Sequence, residues 1–182
     1  MNIARSRDSR LKTGYAIGNG LSREGVDLGS LDGLVVGCNG LYKDFSPDIL
    51  VSLDARVEVP EERDFKWLHL AETRVGLLLD DRLIGDVRDL FPFPGFDSGM
   101  VACAYLARYS RCATVYMIGF DFYTGYGGRN DIYHDEAVKN SIPMTNWNLL
   151  ADFYPDTDFV RLGPWRDEYS ELKGLTFGNH RP

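Results

Sequence analysis

Six short apolar runs recur along the chain, at "GYAIG" (14–18), "GLVVGC" (33–38), "DILVSLD" (48–54), "FKWLHL" (65–70), "TVYMIG" (114–119) and, more weakly, "DFVRLG" (158–163). They are rich in β-branched and aromatic residues, and several show little alternation between apolar and polar positions. A strand with one face in water needs that alternation. A strand covered on both faces does not, and its usual setting is a parallel sheet with helices above and below. Between the runs, "DSGMVACAYLARYS" (97–110) has helical length and the small residues Ala102, Ala104 and Ala107, and "MTNWNLLADFYPD" (144–156) holds a second helix before Pro155. This succession predicts an α/β protein: a single Rossmann-like domain over 1–182, with a mostly parallel central sheet and helices on both faces. Segment 80–96, "DDRLIGDVRDLFPFPGF", carries charges, two prolines and no clear period, and reads as an irregular surface excursion. Residues 1–12 and about 173–182 read as tails.

Composition narrows the function classes. No apolar run approaches the ~20 residues of a membrane span. The opening "MNIARSRDSRLKTG" is followed at once by "YAIGNG" and not by an apolar stretch, so no secretory signal is read and a cytoplasmic location is the default expectation. Twenty Lys and Arg against 27 Asp and Glu give a net charge of −7, which argues against duplex nucleic acid as a partner. A small anionic ligand stays compatible, because backbone N–H groups can line a pocket whatever the net charge. Cys38, Cys103 and Cys112 have no CxxC spacing, and buried free thiols are the favoured reading.

In open α/β sheets ligands bind beyond the carboxyl ends of the strands, so the residues after each run matter most. These are "GNGLS" (18–22), "CNG" (38–40), "LDA" (53–55) and "GFDFY" (119–123). Gly18 and Gly20 let backbone N–H groups approach a phosphate closely, and Asn19 can both donate and accept hydrogen bonds. The same "GNG" is equally a plain turn, and with no GxGxxG and no acidic residue ending the second strand a dinucleotide fingerprint is absent. "DSG" opens a helix with Asp97 or Ser98 as N-cap, and Ser98 with the Gly99 N–H suits an anion better than Asp97 does. Asp121 after its strand either caps a turn or serves a site. His134, beside Asp135 and Glu136, is either solvated or a base, and His69 inside "FKWLHL" reads as a satisfied core or sheet-edge histidine.

Taken in order, "YAIGNGLSREGVDLGSLDGLVVGCNGLY", "DSGMVACAYLA", "VYMIGFDFY" and "IYHDE" resemble the bacterial lipooligosaccharide sialyltransferase family over roughly residues 14 to 138. The resemblance implies a Rossmann-like glycosyltransferase that takes CMP-sialic acid as donor, inverts the sugar, passes it to a glycan acceptor and needs no cofactor. Asn19 and Asn39 would contact the nucleotide, and Ser98 and Gly99 would lie near the phosphate or sugar carboxylate. Tyr123 and Tyr126 would hydrogen-bond the departing phosphate, and His134 would be the general base. Leu21 stands where that family has proline, Asp97 where it has an uncharged residue, and the interval from Tyr123 to His134 is much shorter. A neighbouring subunit of a homo-oligomer could complete a site with so short a loop.

"SPDILVSLDA" (46–55) is similar to a strand of the hydroxymethylpterin pyrophosphokinase-like family. That similarity implies instead that Asp54 and Asp121 hold Mg²⁺ against the phosphates of ATP. A third alternative is a catalytically silent binding or structural module of the same fold.

Overall fold

The computed structural model describes residues 13–54, 57–71, 75–121, 132–133, 144–162 and 176–178. All six apolar runs form strands. In chain order the elements are β1 (Thr13–Ile17), β2 (Leu34–Cys38), β3 (Ile49–Val51), β4 (Lys66–Leu70), β5 (Gly76–Leu79), β6 (Arg82–Asp86), α1 (Ser98–Arg108), β7 (Thr114–Ile118), α2 (Met144–Phe153), β8 (Asp158–Leu162) and β9 (Thr176–Gly178). They make one sheet in the order β6-β5-β4-β3-β2-β1-β7-β8-β9. From β4 to β9 every neighbouring pair is parallel, and only β5 and β6 add antiparallel edges. The protein is thus α/β with a mostly parallel sheet, and the strand order reverses where β1 meets β7, with Ala16 opposite both Val36 and Met117.

The two faces are covered differently. Ala16, Val36, Cys38, Ile49, Val51, Val115, Met117 and Phe159 pack with Met100, Ala104 and Leu106 of α1 and Trp147 and Leu150 of α2 in one apolar cluster. The alternate positions Ile17, Val35, Leu50 and Ile118 form a second cluster, covered by Leu28, Leu41 and Phe65. Leu28 and Leu41 lie in short 3-10 turns, Leu28–Ser30 and Asn39–Lys43. The expectation of helices on both faces is therefore corrected: among the described residues both α-helices pack on one face, and 3-10 turns and loop residues cover the other. The link β2 to β3 (39–48) is short for a helical crossover, and the link β1 to β2 (18–33) holds the 3-10 turns Leu21–Arg23 and Leu28–Ser30 in place of a helix, so single inserted side chains take over a helix's work of excluding water.

Two further expectations change. Segment 80–96 is not wholly irregular, because its first residues complete the β5–β6 hairpin. Asp80 turns the corner at φ 52°, a conformation that Asp tolerates better than most residues. Its carboxylate accepts the Trp67 N–H at 3.0 Å and an Arg63 N–H at 3.1 Å, and these bonds hold it below the usual carboxylate range. Within the supposed tail at 173–182, Thr176–Gly178 is a strand in register with β8. His69, on β4 inside the sheet, bonds the Asp80 carbonyl through Nε2 at 3.0 Å and stacks on Trp67 at 3.9 Å, so it is a satisfied structural histidine. Cys38, Cys103 and Cys112 are buried free thiols. No described helix is long and apolar enough to cross a membrane.

Candidate functional site at the carboxyl edge of the sheet

The ends of β1 and β7 are stitched together by backbone. Gly18 N–H donates to the Ile118 carbonyl at 2.8 Å and Gly20 N–H to the Gly119 carbonyl at 2.9 Å. Gly119 takes φ 73°, and a Cβ there would lie 2.7 Å from the Gly18 oxygen. A Cβ on Gly20 would lie 2.6 Å from both the Gly119 oxygen and the Asp121 carboxyl carbon. These glycines are required by the closeness of two strand ends, which puts a structural demand on "GNG" whatever it binds.

Asp121 continues the stitch with its side chain. Its Oδ2 accepts the Ser22 N–H at 3.0 Å, and its Oδ1 lies 3.6 Å from a guanidinium nitrogen of Arg161, which is 2% exposed. The same arginine donates from Nε to the Phe120 carbonyl at 2.6 Å. Arg161 shares its face of β8 with Phe159, so a buried cation stands under the end of β7 and compensates the acid. Asp121 therefore fits poorly as half of an Mg²⁺ pair with Asp54, because the pair would need carboxylate oxygens turned to the metal. Among the described residues, no three His, Cys, Asp or Glu are grouped as metal ligands would be.

On the other side of β1 the ends of β2 and β3 are joined by one hydroxyl. Ser98 Oγ–H donates to Asn39 Oδ1 at 3.0 Å, and Ser98 Oγ accepts the Leu53 N–H at 3.2 Å, one residue before Asp54. Asn39 itself sits at φ 48°, which turns the chain sharply out of β2. Asp97, not Ser98, is the N-cap of α1, accepting the Met100 N–H at 2.8 Å. Burial pushes its carboxyl above the ordinary range despite that bond, and burial first, then Asp97, raises the Cys38 thiol. Gly99 lets α1 approach the end of β7, since a Cβ there would lie 2.6 Å from the Phe120 ring.

The predicted residues thus fall into two groups on one edge: Gly18, Asn19, Gly20 and Asp121 at β1 and β7, and Asn39, Ser98 and Asp54 at β2 and β3, with Gly99 packed on Phe120. Ile132 and Tyr133 tie the groups together. Ile132 N–H donates to the Asn19 carbonyl at 2.9 Å, and the Tyr133 ring packs against Gly40. The Tyr133 hydroxyl donates to Asp44 and accepts from Arg23 at 2.5 Å. Burial first, and then the bond to Asp44, holds that phenol protonated well above its ordinary value. Among the described residues, three polar atoms of the loop after β1 are buried without a hydrogen bond: Asn19 Oδ1, Ser22 Oγ and Arg23 Nε. Tyr123, Tyr126 and His134 lie outside the described residues.

Arg23, Asp44, Tyr133 and Arg161 were not singled out from sequence. Arg161 left a readable signal, a charged residue two positions from Phe159 in an otherwise apolar run. No family model, curated protein or solved structure matches this chain.

Proposed function

We propose that the carboxyl edge of this sheet binds a nucleotide and that the chain is a metal-independent glycosyltransferase of Rossmann-like type using a CMP-activated sugar. The observation that carries the reading is the buried, unpartnered Asn19 Oδ1 at the end of β1, next to a strand end built from glycines. A buried carbonyl oxygen without a donor costs about 1–3 kcal/mol, and a ligand N–H or O–H would recover it. Ser22 Oγ, three residues on, is in the same state and adds a second polar anchor in the same loop. Open α/β sheets bind ligands at the carboxyl edge beside the order reversal, and the atoms without partners lie one turn beyond the reversal of β1 and β7, which supports the choice of edge.

Asn39 would meet the nucleotide through its Nδ2, since its Oδ1 is taken by Ser98. Ser98 then acts chiefly by fixing Asn39 and Leu53, and a phosphate or carboxylate at Gly99 would take the place of the Asp97 carboxylate that the Gly99 N–H already meets. The resemblance supplies the chemistry: the acceptor hydroxyl oxygen attacks the anomeric carbon, its proton passes to His134, and CMP leaves with Tyr123 and Tyr126 donating to its phosphate. The engagement of Asp121 with Ser22 and Arg161 favours this over the Mg²⁺-dependent alternative.

Thermal denaturation with CMP, CMP-sialic acid, and ATP with Mg²⁺ tests the reading. CMP compounds without metal are expected to stabilise the fold, by about 2.7 kcal/mol at a hundredfold excess over Kd. Stabilisation by ATP with Mg²⁺ alone would transfer the assignment to phosphoryl chemistry, and no effect of any nucleotide would leave a silent module. Transfer to a glycan, lost in His134→Ala with CMP binding retained, checks the catalytic step.

A further inference from the structure

A groove of about 430 Å³ opens along the stretch that follows Asn19. Arg23, Glu24, Val26, Asp27, Asp44 and Phe45 line it. We infer that this groove receives an uncharged, hydroxyl-rich glycan end and rejects anionic ones, which on the transferase reading makes it the acceptor subsite.

The argument starts from Arg23. The residue is 5% exposed, yet it lines the groove, and its Nε has no hydrogen bond among the described residues. Its Nη2 is committed to Asp44 at 3.2 Å and Tyr133 at 2.5 Å, which fixes the guanidinium in place. A buried, immobilised donor without an acceptor calls for a ligand oxygen. An anionic oxygen would satisfy it, but the charge around it forbids one. Three carboxylates line the groove against this single cation, a balance of −2, and Asp44 is the only one of the three that the cation bonds. Glu24 is exposed and its carboxylate has no hydrogen bond or ion pair among the described residues, and Asp27 uses one oxygen for the Gly29 N–H at 3.1 Å. Lys43 sits over the Tyr133 ring at 5.3 Å and does not line the groove.

The ligand must therefore offer acceptors to a guanidinium and donors to carboxylates without bringing negative charge. Sugar hydroxyls do both. Val26, 40% exposed, and Phe45 provide apolar surface for the C–H face of a pyranose, and the volume lies within the range of small-molecule sites. Position adds to chemistry: Ile132, which also lines the groove, donates its N–H to the Asn19 carbonyl, so the groove and the proposed nucleotide loop share a hydrogen bond.

Saturation-transfer NMR on the whole chain without nucleotide, using lactose, chitobiose, maltose and 3′-sialyllactose at millimolar concentration, reads the inference directly. At least one neutral disaccharide is expected to show saturable transfer and 3′-sialyllactose none. Phe45→Ala should weaken the neutral sugar about tenfold, and Glu24→Lys with Asp27→Lys should admit 3′-sialyllactose. Absence of transfer from all neutral disaccharides, or equal transfer from the sialylated one, would overturn it, as would binding untouched by both variants. CMP stabilisation, measured on the same samples, separates the two ideas. CMP binding without sugar binding sinks the groove alone, and sugar binding without CMP binding sinks the nucleotide reading alone.

Discussion

The two sides of β1 hold their neighbours by different means. Toward β7 the junction is backbone on backbone, Gly18 and Gly20 against Ile118 and Gly119, with the ion pair of buried Arg161 and half-buried Asp121 behind it. Toward β2 and β3 the junction is a chain of neutral side-chain bonds through Ser98. The first admits no side chain, and the second is made of groups that other polar atoms can replace. Open α/β sheets normally leave a crevice where the strand order reverses, yet here the hydrogen bonding runs on past the end of β1 and closes it. Among the described residues, three buried polar atoms without a hydrogen bond lie in the loop beyond, at Asn19, Ser22 and Arg23. Closure at the reversal point thus carries stability, and the recognition chemistry moves one turn outward.

The comparison predicts unequal costs. Arg161→Met should be the most damaging change, about 3–5 kcal/mol by urea denaturation, because it leaves Asp121 beneath the fold without its cation and the Phe120 carbonyl without its donor. Arg161→Met with Asp121→Asn should recover part of that loss, and a double variant as unstable as the single would break the account. Gly119→Ala comes next, at roughly 2–4 kcal/mol, from a positive φ and a Cβ pressed 2.7 Å from the Gly18 oxygen. Ser98→Ala on the other side should cost about 1–3 kcal/mol, since water can reach some of what the hydroxyl served. A Ser98→Ala cost equal to that of Arg161→Met would show the two junctions to be equally rigid.

Much of this asymmetry was not legible in the sequence. The apolar runs declared the strands because burial on both faces demands continuous hydrophobicity, and strand ends then pointed to Gly18, Asn19, Gly20, Asn39, Ser98, Gly99 and Asp121 on one edge. What they face was hidden. Asp121 and Arg161 are forty residues apart, and no local pattern says that one carboxylate turns inward to a cation on the next strand. The hairpin at Asp80 was masked by two prolines downstream in its own segment, although "LLLDDRLI" holds two apolar stretches around a two-residue turn. Helices on both faces were expected because continuous apolar strands need cover, and the pattern cannot distinguish helical cover from Leu28 and Leu41 inserted by 3-10 turns.

The smallest predicted effect concerns Asp97, which sits on the neutral side and is itself anionic when ionised. Burial raises its folded-state pKa above the ordinary value that it keeps in the unfolded chain, so within that interval the folded protein retains a proton that the unfolded protein has lost. Its contribution is fully present below the ordinary carboxylate value and falls as pH rises through the raised one. Asp97→Asn keeps an oxygen for the Met100 N–H and removes the charge. The variant should therefore lose the downward slope over that window and be at least as stable as the parent at neutral pH, as urea midpoints across the window will read. Parallel midpoint curves for the two proteins would remove Asp97 as the titrating group. The Cys38 thiol should stay unreactive toward a disulfide reagent in both, because burial, ahead of the Asp97 charge, is what holds it protonated. A newly reactive thiol in the variant would mean that the start of α1 had loosened, and that the hydroxyl bridge of Ser98 depends on the cap beside it.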